Sequence, residues 1–377
     1  MLLLIVTALL FLFYAGVIVF YYLAWKEAPV YNSAKNNHNE TRFSVIIPAR
    51  NEAHNIEKLL RSLEAQTYSQ ALFEVIVIDD QSTDETVDVV NRFKQQSPLS
   101  ITIAQLSADV KKAHKKRTIE KGILLAVNEW IVCTDADCTV PATWLHTLSS
   151  FIRQKNSMFV VAPVAYIQDK KASDIFQVLD FMTLQGITAA SVYKNVHSMC
   201  NGANLAYHKE AFLQVGGFAG IDNIASGDDM LLMYKIWKAY PDRVHYLKSS
   251  EAIVRTDTAN GWKAFFNQRV RWASKAPDYD DKRVFIVLLL VYLFNLSYLV
   301  LGIAAFFNIR YLYALIIFIT AKVIVEFPFV YSVSRFFGRQ SLMKYFPLFQ
   351  PLHILYTIIV GLWGSFGKYE WKNRKVR

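Results

Sequence analysis

Hydrophobic and polar positions along the chain fall into two regimes. Residues 2–24, "LLLIVTALLFLFYAGVIVFYYLA", carry no charge over a length that spans a bilayer. A cleaved secretory signal would show a basic start, a shorter apolar core and a small-residue cleavage site. None of these is present, so the segment (1–25) reads as an uncleaved anchor. Three further apolar runs, 284–309, 311–333 and 346–366, follow near the other end. Between the two ends, polar and apolar residues alternate with periods of ordinary strands and helices.

That middle region begins with "FSVIIPA" (43–49), a buried strand, and continues into "NEAHNIEKLLRSLEAQ", where Ile56, Leu59, Leu60 and Leu63 recur at helical spacing. "LFEVIVIDD" predicts a second strand. "STDE" (82–85) has capping-box spacing and predicts a helix through Val87, Val90 and Phe93, followed by a strand at "SITIAQL". A third helix over 115–127 returns to the strand "WIVCTDA". Strands alternating with helices at this pitch imply a parallel sheet with right-handed crossovers and both faces covered. The fold class is α/β, with an N-terminal anchor and a C-terminal helical bundle.

Ligands of such sheets sit at the carboxyl ends of the strands. Those ends are "PARNE" (48–52), "DDQSTD" (79–84) and "DAD" (135–137). Any one of them is ordinary turn chemistry; three on one sheet edge predict a shared crevice. Acids alone repel phosphate, and the run "KKAHKKRTIEK" (111–121) supplies the opposite sign, with Lys115 or Lys116 reaching inward beside a divalent cation. Further on, "NGAN" (201–204) is a turn before a strand, and "SGDD" sets Asp228 and Asp229 at the start of a helix backed by Leu231, Leu232 and Ile236. Acids there suit the helix dipole, and paired acids also suit base catalysis.

Composition agrees with a membrane protein carrying a water-facing domain more than with a purely soluble protein. The 377 residues are 53% hydrophobic, with a net charge of +10 and a mean hydropathy of +0.21. Three cysteines, Cys133, Cys138 and Cys200, lack the spacing of a zinc site or disulfide framework and fit a reducing compartment. "WKAFFNQRVRWASK" (262–275) mixes aromatic and basic residues as an interfacial amphipathic helix does. It places Gln268, Arg271 and Trp272 where a soluble donor meets a membrane-bound acceptor. Lys322 and Glu326, four apart on one helix face within an apolar run, are a structural pair or a functional one.

Orientation leaves two arrangements. The loop "SRFFGRQSLMK" and the tail "KYEWKNRKVR" are both basic, with one crossing between them if all three C-terminal segments span. Either the tail is external, or one segment is re-entrant or lies along the surface; the second keeps the large domain in the cytoplasm and is preferred. The division is then an anchor at 1–25, a cytoplasmic domain at 42–254, an interfacial segment at 255–280, membrane segments at 284–366 and a basic tail at 367–377.

Taken in order, "PARNE", "DDQSTD", "TDADC", "NGAN", "SGDD" and "QRVRW" resemble the motif series of membrane-bound family 2 glycosyltransferases. That group contains cellulose, hyaluronan and poly-N-acetylglucosamine synthases and ceramide glucosyltransferase. The resemblance spans residues 43–275 together with the membrane layout. It implies a GT-A-type, Rossmann-like domain that holds a UDP-sugar through Pro48, Ala49, Arg50, Asn51 and Glu52, with Asp80 and Asp79 toward the base. Lys115 matches the lysine of a "GKxxAL" stretch, from which His114, Thr118 and Ile119 depart. Asp135 and Asp137 match the diphosphate and metal motif, with Mg²⁺ or Mn²⁺ as cofactor and Asp137 the principal ligand.

The same resemblance makes Asp229 the general base and assigns acceptor contacts to Gly202, Asn204, Asp228, Gln268, Arg271 and Trp272. The implied enzyme is an inverting hexosyltransferase acting on a lipid-linked or short saccharide acceptor at the cell membrane. Its partners are the donor, the acceptor and the bilayer, with no nucleic acid. A processive polysaccharide synthase with the same site is the alternative, disfavoured by the small bundle. A sugar nucleotidyltransferase has no need of a membrane-edge "QRVRW", and a transporter would need a larger bundle.

Overall fold

The computed structural model describes residues 1–33, 41–107, 114–196, 199–222, 227–274, 281–366, 370–371 and 374–375. Lys111, Lys112 and Lys275, and most of the basic tail with its topology, lie outside the described residues. The chain forms two compact units. One comprises Pro29–Ile167 and Met199–Asp257; the other comprises Met1–Ala28, Gln168–Ser198 and Thr258–Arg377.

In chain order the elements are α1 (Leu2–Glu27), β1 (Phe43–Ala49), α2 (Ile56–Glu64), β2 (Phe73–Asp79), α3 (Thr86–Gln96), β3 (Ile101–Gln105), α4 (His114–Leu125), β4 (Trp130–Cys133) and α5 (Trp144–Lys155). There follow β5 (Phe159–Val161), β6 (Val164–Tyr166), α6 (Ala172–Tyr193), β7 (Leu205–His208), α7 (Lys209–Gln214), α8 (Met230–Ala239), β8 (Val244–Tyr246), β9 (Val254–Thr256) and α9 (Gly261–Ala273). Last come α10 (Lys282–Ala305), α11 (Ile309–Phe336) and α12 (Phe346–Phe366).

The first unit is built on a seven-stranded sheet of order β3-β2-β1-β4-β7-β5-β8, with a separate two-stranded parallel pair, β6 and β9. β3, β2, β1 and β4 are parallel, in registers that set Ala49 opposite Asp79 and Ile46 opposite Cys133. β7 runs antiparallel to both β4 and β5. The expected parallel sheet is therefore mostly parallel, interrupted by the strand that follows "NGAN". Both-face burial explains the near-continuous apolar run of β1, whose Val45, Ile46 and Ile47 are fully buried.

Helices of this unit follow the apolar spacing. In α2, Ile56, Leu59, Leu60 and Leu63 are all fully buried. Glu57 and Arg61 pair across the exposed face of the same helix at 2.5 Å. α4 lies close over β1: a Cβ at Gly122 would stand 2.6 Å from Ile46 Cγ2, so glycine permits that approach. The capping box expected at 82–85 does not form. α3 starts at Thr86, and the Ser82 hydroxyl instead accepts from the Asn51 N–H, while Asp84 accepts from the Thr86 N–H.

The second unit is helical. Among the described residues, five of its segments are long and apolar enough to cross a membrane: α1, α6, α10, α11 and residues Gln340–Gly364. Four of these were expected; α6 was not. It is a 22-residue helix in which most of the apolar window is buried within the protein. At Gly186 it meets α11 so closely that a Cβ would stand 2.5 Å from Val333 Cγ2 and 3.0 Å from Phe329 Cζ.

The intramembrane-type charges of this unit are paired. Lys322 lies 2.7 Å from Glu326 Oε1 and donates to Gln350 Oε1 at 2.6 Å, and Gln350 Nε2 donates to Glu326 Oε2 at 2.8 Å. The Tyr14 hydroxyl also donates to Glu326. This closed network ties α1, α11 and α12 together, which is the structural reading of Lys322 and Glu326. In α9, Phe265 is fully buried and packs with Phe176, Tyr356 and Val360. Of the aromatic residues expected to lie on lipid, Phe265 and Phe266 pack into a protein core.

Candidate active site

The carboxyl ends of β1 and β2 are tied to each other before any ligand is considered. Arg50 Nη1 donates to the carbonyls of Asp80 (2.5 Å) and Gln81 (2.9 Å). The Asn51 side chain accepts from the Thr83 N–H at 2.8 Å, and the Glu52 N–H donates to Thr86 Oγ1 at 2.8 Å. Asn51 and Gln81 both have left-handed backbones, with φ of 52° and 57°. Conformations of that kind persist where surrounding bonds over-determine them, and here Arg50 and Thr83 do so.

Two of the expected donor residues serve this scaffold. Asp79 is 1% exposed, and its carboxylate accepts from the Ser82 N–H and from Gln105 Nε2. Glu52 is buried and accepts from Asn55 Nδ2 at 2.9 Å. Pro48 and Ala49 close β1 beside them, and Asp80 follows on the neighbouring strand, its N–H bonded to the Ala49 carbonyl.

The third strand end carries the charge cluster. Lys115, in the first turn of α4, lies 2.8 Å from Asp135 Oδ1 just past β4, and 3.7 Å from Asp228 Oδ2 ahead of α8. Burial alone would push this lysine down, but Asp135, Asp228 and Asp229 together hold it above the usual lysine range. Asp229 is the N-cap of α8. Its Oδ1 accepts from the Met230 N–H at 2.8 Å and its Oδ2 from the Gly202 N–H at 3.0 Å. Gly202 is pressed into the cluster: a Cβ there would stand 3.3 Å from Lys115 Nζ and 3.4 Å from Asp228 Oδ2.

So four stretches distant in sequence, around Lys115, Asp135, Gly202 and Asp228–Asp229, meet at one place. Asp137 is exposed and sits two residues from the Asp135 contact, near the Cys138 thiol. Lys116 has a backbone partner. It is 1% exposed, and its Nζ donates at 2.7 Å to the carbonyl of Ile221, anchoring the segment that leads toward "SGDD". Charge and spacing do not separate these two adjacent lysines; the "GKxxAL" resemblance points to Lys115, and the phase of α4 gives the two different partners.

Asn204 has a structural place. It is fully buried, accepts from Trp144 Nε1 at 2.9 Å and donates to the carbonyls of Pro163 and Ala252 at 2.8 Å each. Of the expected acceptor residues, Gly202 and Asp228 belong to the charge cluster, whereas Gln268, Arg271 and Trp272 lie on α9 in the other compact unit. Burial pushes the Cys133 thiol up to about 12, and burial followed by Asp137 and Asp135 raises Cys138. Both are small buried residues with neutral thiols.

Among the described residues, no three His, Cys, Asp or Glu side chains converge as a ready-made metal cage. The donor set present, exposed Asp137 beside Asp135, fits a hard divalent ion of a different kind. Mg²⁺ in particular keeps its waters and is held by one or two carboxylates together with substrate phosphates.

A mostly parallel sheet, with Asp135 just past β4 and Asp228 ahead of α8 both drawn to one lysine, defines a GT-A-like α/β domain. Residues 44–216 match Glycosyl transferase family 2, and the chain carries a domain of that family. The poly(ribitol-phosphate) β-N-acetylglucosaminyltransferase TarS of Staphylococcus aureus (strain Mu50) is 31% identical over 116 residues, covering 31% of this chain and 20% of that protein. The poly-β-1,6-N-acetyl-D-glucosamine synthase of Staphylococcus epidermidis is 22% identical over 259 residues, covering 67% of this chain and 60% of that protein. The chain thus spans less than two thirds of the length of these curated relatives. The mannosyltransferase PcManGT of Pyrobaculum calidifontis, solved with GDP-Man and Mn²⁺, has the same fold: TM-score 0.62 at 21% identity, over 96% of this chain and 99% of that one.

Proposed function

We propose that the protein is an integral membrane enzyme that transfers a hexose from a UDP-sugar, with inversion, to a lipid-linked or short saccharide acceptor at the cytoplasmic face. The observation that carries this reading is the Lys115 ammonium held between Asp135 and Asp228 (2.8 and 3.7 Å), with Asp229 fixed alongside. That cluster has a cation for the leaving diphosphate and a carboxylate oriented for a proton.

The residues divide the work as follows. The stitched loops of β1 and β2, from Pro48 to Glu52 and at Asp80, form a rigid seat for the nucleoside. Lys115 offers its positive charge to the diphosphate. Asp137, with Asp135, would hold Mg²⁺ or Mn²⁺, which when bound neutralises the charge developing on the leaving oxygens. Asp229 accepts the proton of the acceptor hydroxyl as that oxygen bonds to the anomeric carbon. The carbon's bond to the diphosphate oxygen breaks in the same step, and one displacement inverts the centre. Two backbone N–H donors keep the Asp229 carboxylate oriented for this task. On α9, Gln268, Arg271 and Trp272 hold the acceptor. Among the relatives, one transfers N-acetylglucosamine to poly(ribitol phosphate) by its name and another is a polymer synthase by its name.

The test is a panel of UDP- and GDP-sugars offered to membranes containing the protein, with Mg²⁺ or Mn²⁺, scored for nucleoside diphosphate release and labelled product. Release of UDP with a short labelled product is expected. Turnover with GDP-sugars alone moves the donor assignment, a long polymer moves the acceptor assignment, and no turnover at all ends the proposal.

A further inference from the structure

The motif "QRVRW" directs attention to Gln268, Arg271 and Trp272, yet its most buried member is Arg269. That side chain is 2% exposed on α9. Its guanidinium meets Asp180 of α6, itself 9% exposed, with Nη2 2.7 Å and Nε 2.9 Å from the same carboxylate oxygen, Oδ2. The other oxygen, Oδ1, faces His353 Nε2 of α12 at 3.9 Å.

Arg269 touches two of its own motif partners directly. Nη1 donates to Gln268 Oε1 at 3.0 Å, and the guanidinium carbon lies 4.1 Å from the centre of the Trp272 ring and 4.8 Å from that of Phe265. Phe181, the residue after Asp180, has its ring 6.2 Å from that of Trp272. A planar cation stacked on an indole and forked onto a carboxylate fixes orientation in a way that a lysine at the same position does not. A charge this deeply buried is tolerated only with its counter-charge in place.

We propose that Asp180 and Arg269 form a positioning pair that sets the rotation of α9 and so aims the Gln268 carboxamide and the Trp272 ring at the acceptor. Neither residue contacts substrate in this role; both act through Gln268 and Trp272. The proposal rests on the reading of α9 as the acceptor-side helix. It gives α6 a function besides crossing or packing: its Asp180 is the fixed point against which the acceptor residues are held.

The experiment uses the full chain in nanodiscs and two readouts. Acceptor and donor KM and kcat are measured for Asp180→Asn, Asp180→Glu and Arg269→Lys. Acrylamide quenching attributable to Trp272 is taken by difference against Trp272→Phe in each background. Asp180→Glu keeps the charge and shifts the carboxylate by one methylene, so it tests geometry even where Asp180→Asn does not accumulate. The expected result is a roughly ten- to hundred-fold loss in acceptor kcat/KM, with donor KM within about two-fold, and altered Trp272 quenching. Unchanged Trp272 quenching and kinetics, with only a lowered unfolding temperature, would make the pair purely structural and overturn the proposal. Equal rises in donor and acceptor KM overturn it as well. Wild-type protein without acceptor-dependent turnover overturns the reading of α9 itself, a failure recognised before any substitution is made.

Discussion

The Lys115 ammonium lies 2.8 Å from Asp135 Oδ1, so the first turn of α4 is joined to the residues just past β4. The same nitrogen is 3.7 Å from Asp228. Removing that charge with Lys115→Met leaves carboxylates facing one another where a diphosphate must enter. Hydrogen bonds to charged groups are worth about 1.5–3 kcal/mol, so donor affinity should fall by roughly ten- to a hundred-fold. Titration calorimetry with the nucleoside diphosphate checks this, and unaltered affinity removes Lys115 from the donor site.

Asp229→Asn preserves size but replaces one acceptor oxygen by an N–H donor that faces the Gly202 or Met230 N–H. Transfer should drop by about a hundred- to ten-thousand-fold, the usual worth of a general base, while donor binding survives. Single-turnover kinetics beside a binding assay separate the two. Equal loss of both would mean that Asp229 supports the fold of the site and takes no proton.

Asp137→Asn should raise the divalent metal concentration needed for half-maximal turnover, and EDTA should abolish turnover reversibly. Because the described residues offer no protein-only cage, the metal should bind weakly until the nucleotide is present. Manganese relaxation measured with and without UDP tests that coupling; equal metal binding in both states contradicts it.

Gly186→Ala should destabilise the helical unit. The added methyl would stand 2.5 Å from Val333 Cγ2 on α11, and overpacking of this sort typically costs about 1–3 kcal/mol. A lowered unfolding temperature in detergent, with the isolated nucleotide site still binding UDP, is the expected pattern.

Burial, followed by the neighbouring Lys155 and Arg243, lowers His245 below the usual histidine range, and its Nδ1 is 2.9 Å from Ser157 Oγ. A base whose folded value is depressed favours the folded state while neutral. Its contribution is present above about 6.5, the unfolded histidine value, and is lost as pH falls through the folded one. Thermal unfolding of the wild type should therefore weaken below about pH 6.5, and His245→Gln should flatten that slope. Parallel curves for the two proteins would place the titration elsewhere.

Much of the catalytic unit was legible because its parallel strands write their burial directly into the sequence. Runs such as Val45–Ile47 end abruptly in polar residues where the sheet edge meets water, and that placed Asp80 and Asp135 in advance. The hydrogen bonds of Asp79 and Asn204 were not legible, because a buried polar side chain held by its protein neighbours looks the same in sequence as one that faces a ligand. The capping box failed because Ser82 found a partner in Asn51, 31 residues away. α6 escaped because its apolar window has a mean hydropathy of only 1.3, against 2.8 for α1. A helix enclosed by protein can carry Asp174 and Asp180, and those charges break the pattern by which lipid-facing segments are recognised. Arg269 escaped for the related reason that its partner is 89 residues away.

The position of β7 between β4 and β5 has a consequence for biosynthesis. A chain leaving the ribosome delivers β1 to β6 first, then the apolar α6, and only afterwards residues 205–208 that join the two halves of the sheet. The seven strands cannot become continuous until α6 has already emerged. Maturation of the sheet is thereby made to wait on a segment that must first find shelter from water, so a nascent chain stalled before Leu205 would expose two unjoined sheet edges to chaperones.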